Sequence, residues 1–88
     1  MQMKLINIGY GNMVNADKII AVVSPEASPV KRIVQNAKDK GLAIDATQGK
    51  KTAAVIVCES DHVVLSALSA ETISHRLKEK EEISKENE

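Results

Sequence analysis

The chain has 88 residues, enough for one domain with a modest core. Its 12 basic and 12 acidic residues cancel, which excludes a histone-like basic coat but leaves room for a local charged patch. Hydrophobic residues make up 43% of the chain and Tyr10 is the single aromatic, so the interior must be aliphatic. A domain of this size is marginal alone, and oligomerisation is a common remedy. The charge is uneven: residues 77–88 carry three Lys and five Glu, whereas residues 1–76 carry nine basic and seven acidic side chains. The body is therefore mildly basic and the tail acidic. Cys58 is the only cysteine, which rules out an intrachain disulfide and suits a reducing cytosol. No leader is read in Met1-Gln2-Met3-Lys4, and no apolar run of about 18 residues is present to span a membrane.

Residues 5–8 read as a short strand closed by Gly9-Tyr10-Gly11-Asn12, residue types that tolerate positive φ. Residues 13–15 are a strand stub or the far arm of that turn. The run 18–23 is apolar on both faces after Lys18, which predicts a central, doubly covered strand. Ser24-Pro25 and Ser28-Pro29 each have the form of a helix start, and Pro29 lacks the amide that a helix begun at Pro25 would need. A helix from Pro29 places Val30, Ile33, Val34 and Ala37 on its core face, with Gly41 as its stop. Strands follow at 42–47, 52–58 and 62–68. Their short connections predict an antiparallel meander, with Lys50 and Lys51 at the tip of a hairpin between the first two. Ser69 caps a last helix striped by Ile73 and Leu77, and past Arg76 the composition turns to Lys and Glu. The expectation is an α+β domain over residues 1–78, with two helices covering one small antiparallel-rich sheet, and a charged, disordered tail at 79–88.

The candidate chemistry is sparse. Cys58 and His62 are close in sequence, but nothing adjacent in sequence activates a thiolate, and structural roles explain both. Gly9-Tyr10-Gly11 lacks the third glycine and the following helix of a phosphate loop. His75 and Glu71 form an i, i+4 surface pair. No spacing matches a zinc or calcium site, so neither an enzyme nor a cofactor is expected. The adjacent Lys50 and Lys51 are the sharpest feature, because two ammonium groups held together favour an anion. Lys18, Lys31, Arg32 and Arg76 are further candidate phosphate contacts, with Lys18 expected at the same rim as the hairpin tip. Without Phe or Trp the chain has no platform for stacking bases of a single strand. No helix carries the Arg, Asn and Gln array of a major-groove reader. Duplex DNA held by its backbone, with choice of site by shape and bending, fits better.

Four runs, Ile6-Asn7-Ile8-Gly9-Tyr10-Gly11-Asn12, Ser24-Pro25-Glu26-Ala27-Ser28-Pro29-Val30-Lys31-Arg32-Ile33, Ile44-Asp45-Ala46-Thr47-Gln48-Gly49-Lys50-Lys51-Thr52 and Ser60-Asp61-His62-Val63-Val64-Leu65-Ser66, closely resemble the RemA family of small bacterial regulators of extracellular-matrix (biofilm) genes. The resemblance covers about residues 4–80. It implies a fold similar to the LytTR type of DNA-binding domain and a cytoplasmic, nucleoid-associated transcriptional regulator. It also implies a homo-oligomeric ring, expected to be an octamer, that wraps double-stranded DNA around its outside. The family's basic positions fall on Lys18, Lys50 and Lys51, with Arg32 a weaker contact. All three are Lys where Arg is usual, which keeps phosphate contact but loses the bidentate fork. No membrane or small-molecule substrate is implied. The alternatives are an oligomeric scaffold whose lysine loop binds an acidic protein, and an RNA-binding regulator.

Overall fold

Two strands without a charged residue, β5 (Ala54–Cys58) and β6 (Val63–Ser66), take the centre of the main sheet. The structure is a computed structural model and describes residues 4–86, with side chains through residue 79. β5 and β6 pair antiparallel from Ala54↔Ser66 to Val57↔Val63. β3 (Ile19–Val23) lies antiparallel on the outer side of β5, and β4 (Ala43–Ala46) lies parallel on the outer side of β6. The sheet order is β3-β5-β6-β4, so the segment from β3 through helix α1 (Ser28–Asp39) to β4 crosses over two strands. A second, two-stranded sheet is the hairpin of β1 (Leu5–Gly9) and β2 (Asn12–Asn15), joined to β3 by a short 3-10 turn, Ala16–Lys18.

The period-two alternation of β5 and β6 splits the core between the two faces of the main sheet. Val55, Val63 and Leu65 meet Val30 and Ala37 of α1 on one side. Ala54, Ile56 and Val64 meet Ile6 and Ile8 of β1 and Ile73 of helix α2 (Ala70–Glu86) on the other. The layers are thus α1, the four-stranded sheet, and the hairpin with α2. Ser66 is fully buried and ties the two sheets: its hydroxyl donates to the Ile8 carbonyl at 2.8 Å and accepts the Leu68 amide at 3.0 Å. The end of α1 is a Schellman motif in which Gly41, at φ 73°, donates to the Lys38 carbonyl and Leu42 donates to Ala37. Ser69 caps α2, its hydroxyl accepting the Thr72 amide at 3.1 Å.

The α+β class, the two helices and the antiparallel-rich strand content agree with the sequence reading, and four details do not. First, no hairpin joins β4 to β5, because β6 lies between them and pairs with β4 in parallel. The meander is therefore antiparallel only from β5 to β6. The fully buried strand takes the centre, while β4, with Asp45 and a half-exposed Ile44, tolerates an edge. Second, β3 is an edge strand, not a central one. Its register skips from Ile19↔Cys58 to Ala21↔Val57, and the bulged Ile20 is 65% exposed. Third, there are two sheets rather than one. Fourth, α1 starts one residue early, with Ala27 in the N-cap position and Pro29 at N2. The backbone of α2 is helical to Glu86, while the last two residues of the expected tail, Asn87 and Glu88, lie outside the described residues.

Candidate functional site

The lysine pair sits on a tight turn followed by a crossing segment. Asp45 starts it: its carboxylate accepts the Thr47 hydroxyl at 2.6 Å and the Thr47 amide at 2.9 Å. These bonds hold the Asp45 carboxyl below the ordinary aspartate range, chiefly through the hydroxyl and then the amide, with a smaller contribution from Lys38. The Lys50 amide then donates to the Thr47 carbonyl at 3.0 Å, with Gln48 at φ 53° and Gly49 at φ 78°. Two central residues at positive φ are the signature of a primed turn, in which glycine is at ease and glutamine is not. The chain next runs past the end of β6 and rejoins the sheet where the Ala53 amide donates to the Ser66 carbonyl at 2.8 Å. Lys50 and Lys51 are both exposed, and neither enters an ion pair among the described residues.

Beside this segment opens a cavity of about 550 Å³. Lys50, Lys51 and Thr52 form one wall, Ser24 and Glu26 ahead of α1 another, and Tyr10 at the tip of the β1–β2 hairpin a third. The Asn12 side chain holds that hairpin turn in place, donating to the Gly9 carbonyl at 3.1 Å and more weakly to Ala46 at 3.5 Å. A smaller groove of about 250 Å³ shares Pro25 and Thr52 with the cavity and is bordered by Lys31 and Lys38. These two sit seven apart on α1, two turns along one stripe. Lys31 and Lys38 are thus the basic residues of α1 that border a groove continuous with the cavity at Pro25 and Thr52. Arg32 is exposed and lines neither space.

Lys18 is not at the same rim. It precedes Ile19, which pairs with Cys58 at the far end of β5, whereas Lys50 and Lys51 precede the near end, where Val23 pairs with Val55. The length of β3, roughly 16 Å, separates the two positions. Lys18 instead approaches the exposed Glu59 at 3.7 Å, and its carbonyl accepts the Glu59 amide. Arg76 serves the fold: its Nη1 donates to the Asn7 carbonyl at 2.8 Å and ties α2 to β1. Lys38, Tyr10 and Ser24 belong to the same surface and escaped the sequence reading. Nothing local in a Ser-Pro helix start or a Gly-Tyr-Gly turn marks it as sharing a cavity with Lys50, 26 positions from Ser24 and 40 from Tyr10.

The remaining candidates are local. His62 Nδ1 bonds the Ser60 hydroxyl at 2.7 Å within the β5–β6 turn, and burial pushes the Cys58 thiol up, away from thiolate chemistry. His75 faces Glu79 at 3.8 Å rather than Glu71. No cluster of metal-ligating side chains and no helix long and apolar enough to cross a membrane occurs among the described residues.

Comparison with known proteins gives the chain a family. The family model for RemA-like proteins, described as extracellular matrix regulatory protein A-like, matches residues 5–77. A Clostridium perfringens relative is 58% identical over 83 residues, covering 94% of this chain and 93% of its own length. A Heliobacterium modesticaldum relative is also 58% identical, covering 94% and 91%. One from Desulfitobacterium hafniense is 59% identical over 81 residues, covering 92% and 89%. The names of all three give them a provisional regulatory role and nothing finer. With a family model that spans most of the chain and relatives well above half identical along nearly their whole lengths, the chain belongs to the RemA-like family.

Proposed function

We propose that the chain is a transcriptional regulator that binds duplex DNA by its backbone, acting in the cytoplasm as a ring of identical subunits around which the DNA wraps. The LytTR-like character of the fold and the matrix-gene role belong to the same proposal. The observation that carries it is the pair Lys50 and Lys51, exposed on an irregular segment, without a carboxylate partner among the described residues, beside an open cavity. Ammonium groups without partners neutralise phosphates and release counterions. They read no bases, so selection of a site falls to the shape and bending of the duplex. Lys18, at the other end of β3, gives each subunit a second and separate contact, and Arg32 adds a weaker one on the outer face of α1.

The ring supplies what one subunit lacks. Few lysine contacts per copy give weak binding, and repetition along one DNA molecule converts it to avidity. The half-exposed Ile20 and Ile44 lie on the two edge strands of the main sheet, and an edge of this kind is commonly covered by another chain. The test is a gel-shift titration against duplex DNA, single strands and RNA at two salt concentrations, with solution mass measured by light scattering. The expected result is a duplex preference that weakens steeply with salt, from a particle several times 9.5 kDa. Binding of RNA over duplex would replace the proposal with an RNA regulator. A failure to bind any nucleic acid would turn attention to an acidic protein partner.

A further inference from the structure

We propose that Tyr10 and Ser24 act as uncharged hydrogen-bond donors to a phosphate held by Lys50 and Lys51, so that the cavity between the two turns is a shaped phosphate seat. The inference rests on the duplex-binding reading and deepens it by naming residues that carry no charge.

Tyr10 occupies a backbone position that suits it poorly. It sits at φ 55° between Gly9 at φ 109° and Gly11 at φ 77°. Asn or Gly would adopt the left-handed region with less strain than a tyrosine. The tyrosine is nonetheless there, half-exposed, with its side chain on the wall of the cavity and no hydrogen-bond partner for its hydroxyl among the described residues. Gly9 is required there by its backbone, since φ 109° is strained for any L side chain although an added Cβ would meet Leu68 at an ordinary 3.4 Å. The facing turn, with Gln48 and Gly49 at positive φ, is also built from left-handed backbone. Two such turns, about forty residues apart in sequence, converge on one space.

Charge alone makes this space a weak anion trap, since Glu26 shares it with the two lysines. Hydroxyls offset that deficit. Tyrosine and serine donate to phosphate oxygens without adding charge. The Ser24 oxygen accepts the Glu26 amide at 3.5 Å, which leaves its own hydrogen for a ligand. Fixed donors beside flexible ammonium groups set where a phosphate rests, and hence the register of the duplex on the subunit.

The effect of salt separates these roles, because a neutral donor releases no counterion. Duplex titrations at several salt concentrations are run on wild type, Tyr10→Phe, Tyr10→Asn and Lys50→Ala. Tyr10→Phe weakens binding by about 3- to 10-fold at every salt concentration and leaves the salt slope unchanged. Tyr10→Asn weakens it at least as much while melting no lower than wild type, which excludes misfolding as the cause. Lys50→Ala weakens binding and flattens the slope. Wild-type affinity in Tyr10→Phe overturns the seat and leaves the duplex reading standing. If wild type binds no duplex, that reading falls, and calorimetric titration with inorganic pyrophosphate judges the seat alone. Binding that Tyr10→Phe weakens supports it, and no binding overturns it.

Discussion

Lys50 and Lys51 follow a turn whose geometry Asp45 and Thr47 set, so the charge and its support are separable by mutation. If the proposed function holds, replacing both lysines by Ala should remove most DNA affinity, and each phosphate left without its ammonium partner should lower the slope of log affinity against log salt by about 0.9. Melting temperature stays close to wild type because the two side chains are exposed. Replacing both by Arg retains or strengthens binding, since the charge stays and a fork geometry is gained. An unchanged slope in the double Ala variant would remove this segment from the interface. Asp45 gives a pH-dependent counterpart. Its carboxyl is depressed in the fold by the Thr47 hydroxyl and amide. The stabilisation is therefore complete above the ordinary aspartate pKa and is lost as the pH falls below about 4. Thermal unfolding between pH 6 and pH 3 should show wild type losing stability toward acid, with Asp45→Asn showing less of that loss.

Single bonds and single side chains join the elements. Ser66 links β6 to β1 from a fully buried position, and Ser66→Ala leaves the Ile8 carbonyl and the Leu68 amide short of a partner. The expected cost is about 1–3 kcal/mol. Ile73 is the buried anchor of α2, and Ile73→Ala should cost about 2–5 kcal/mol through reduced burial and the cavity left behind. Urea unfolding of the two variants, with unchanged m-values, checks both figures. Both helices were legible in the sequence because their signals are local: Ser69 ahead of an apolar stripe, Gly41 after one. The strands were legible as apolar runs, and β5 and β6 were paired correctly because a short turn joins them. The hairpin predicted at 44–58 failed for a specific reason. The turn at 47–50 exists, with its hydrogen bond and its glycine, but the three residues after it carry the chain past β6. A turn signal reports a reversal of direction and says nothing about which strand the chain then joins.

As a whole, the molecule presents two separated basic positions, two edge strands and an acidic helix end. The helix beyond Lys80 adds charge to a segment whose buried anchor, Ile73, comes earlier. Deleting residues 81–88 should therefore leave particle mass and duplex affinity within about twofold of wild type, as checked by light scattering and gel shift. Loss of either would assign the tail a role in assembly or binding.

The aliphatic core, the α+β class, the lysine pair and the family are legible in the chain alone, because composition, periodicity and long ordered motifs are properties of one dimension. Folding in three dimensions set β4 parallel to β6, put β3 at an edge, placed Lys18 a strand's length from Lys50, and brought Tyr10 and Ser24 to one cavity with Lys50 and Lys51. These depend on which strands compete best for the doubly covered centre. Burial on both faces settles that competition in favour of β5 and β6, and no local pattern in the other strands contains the outcome.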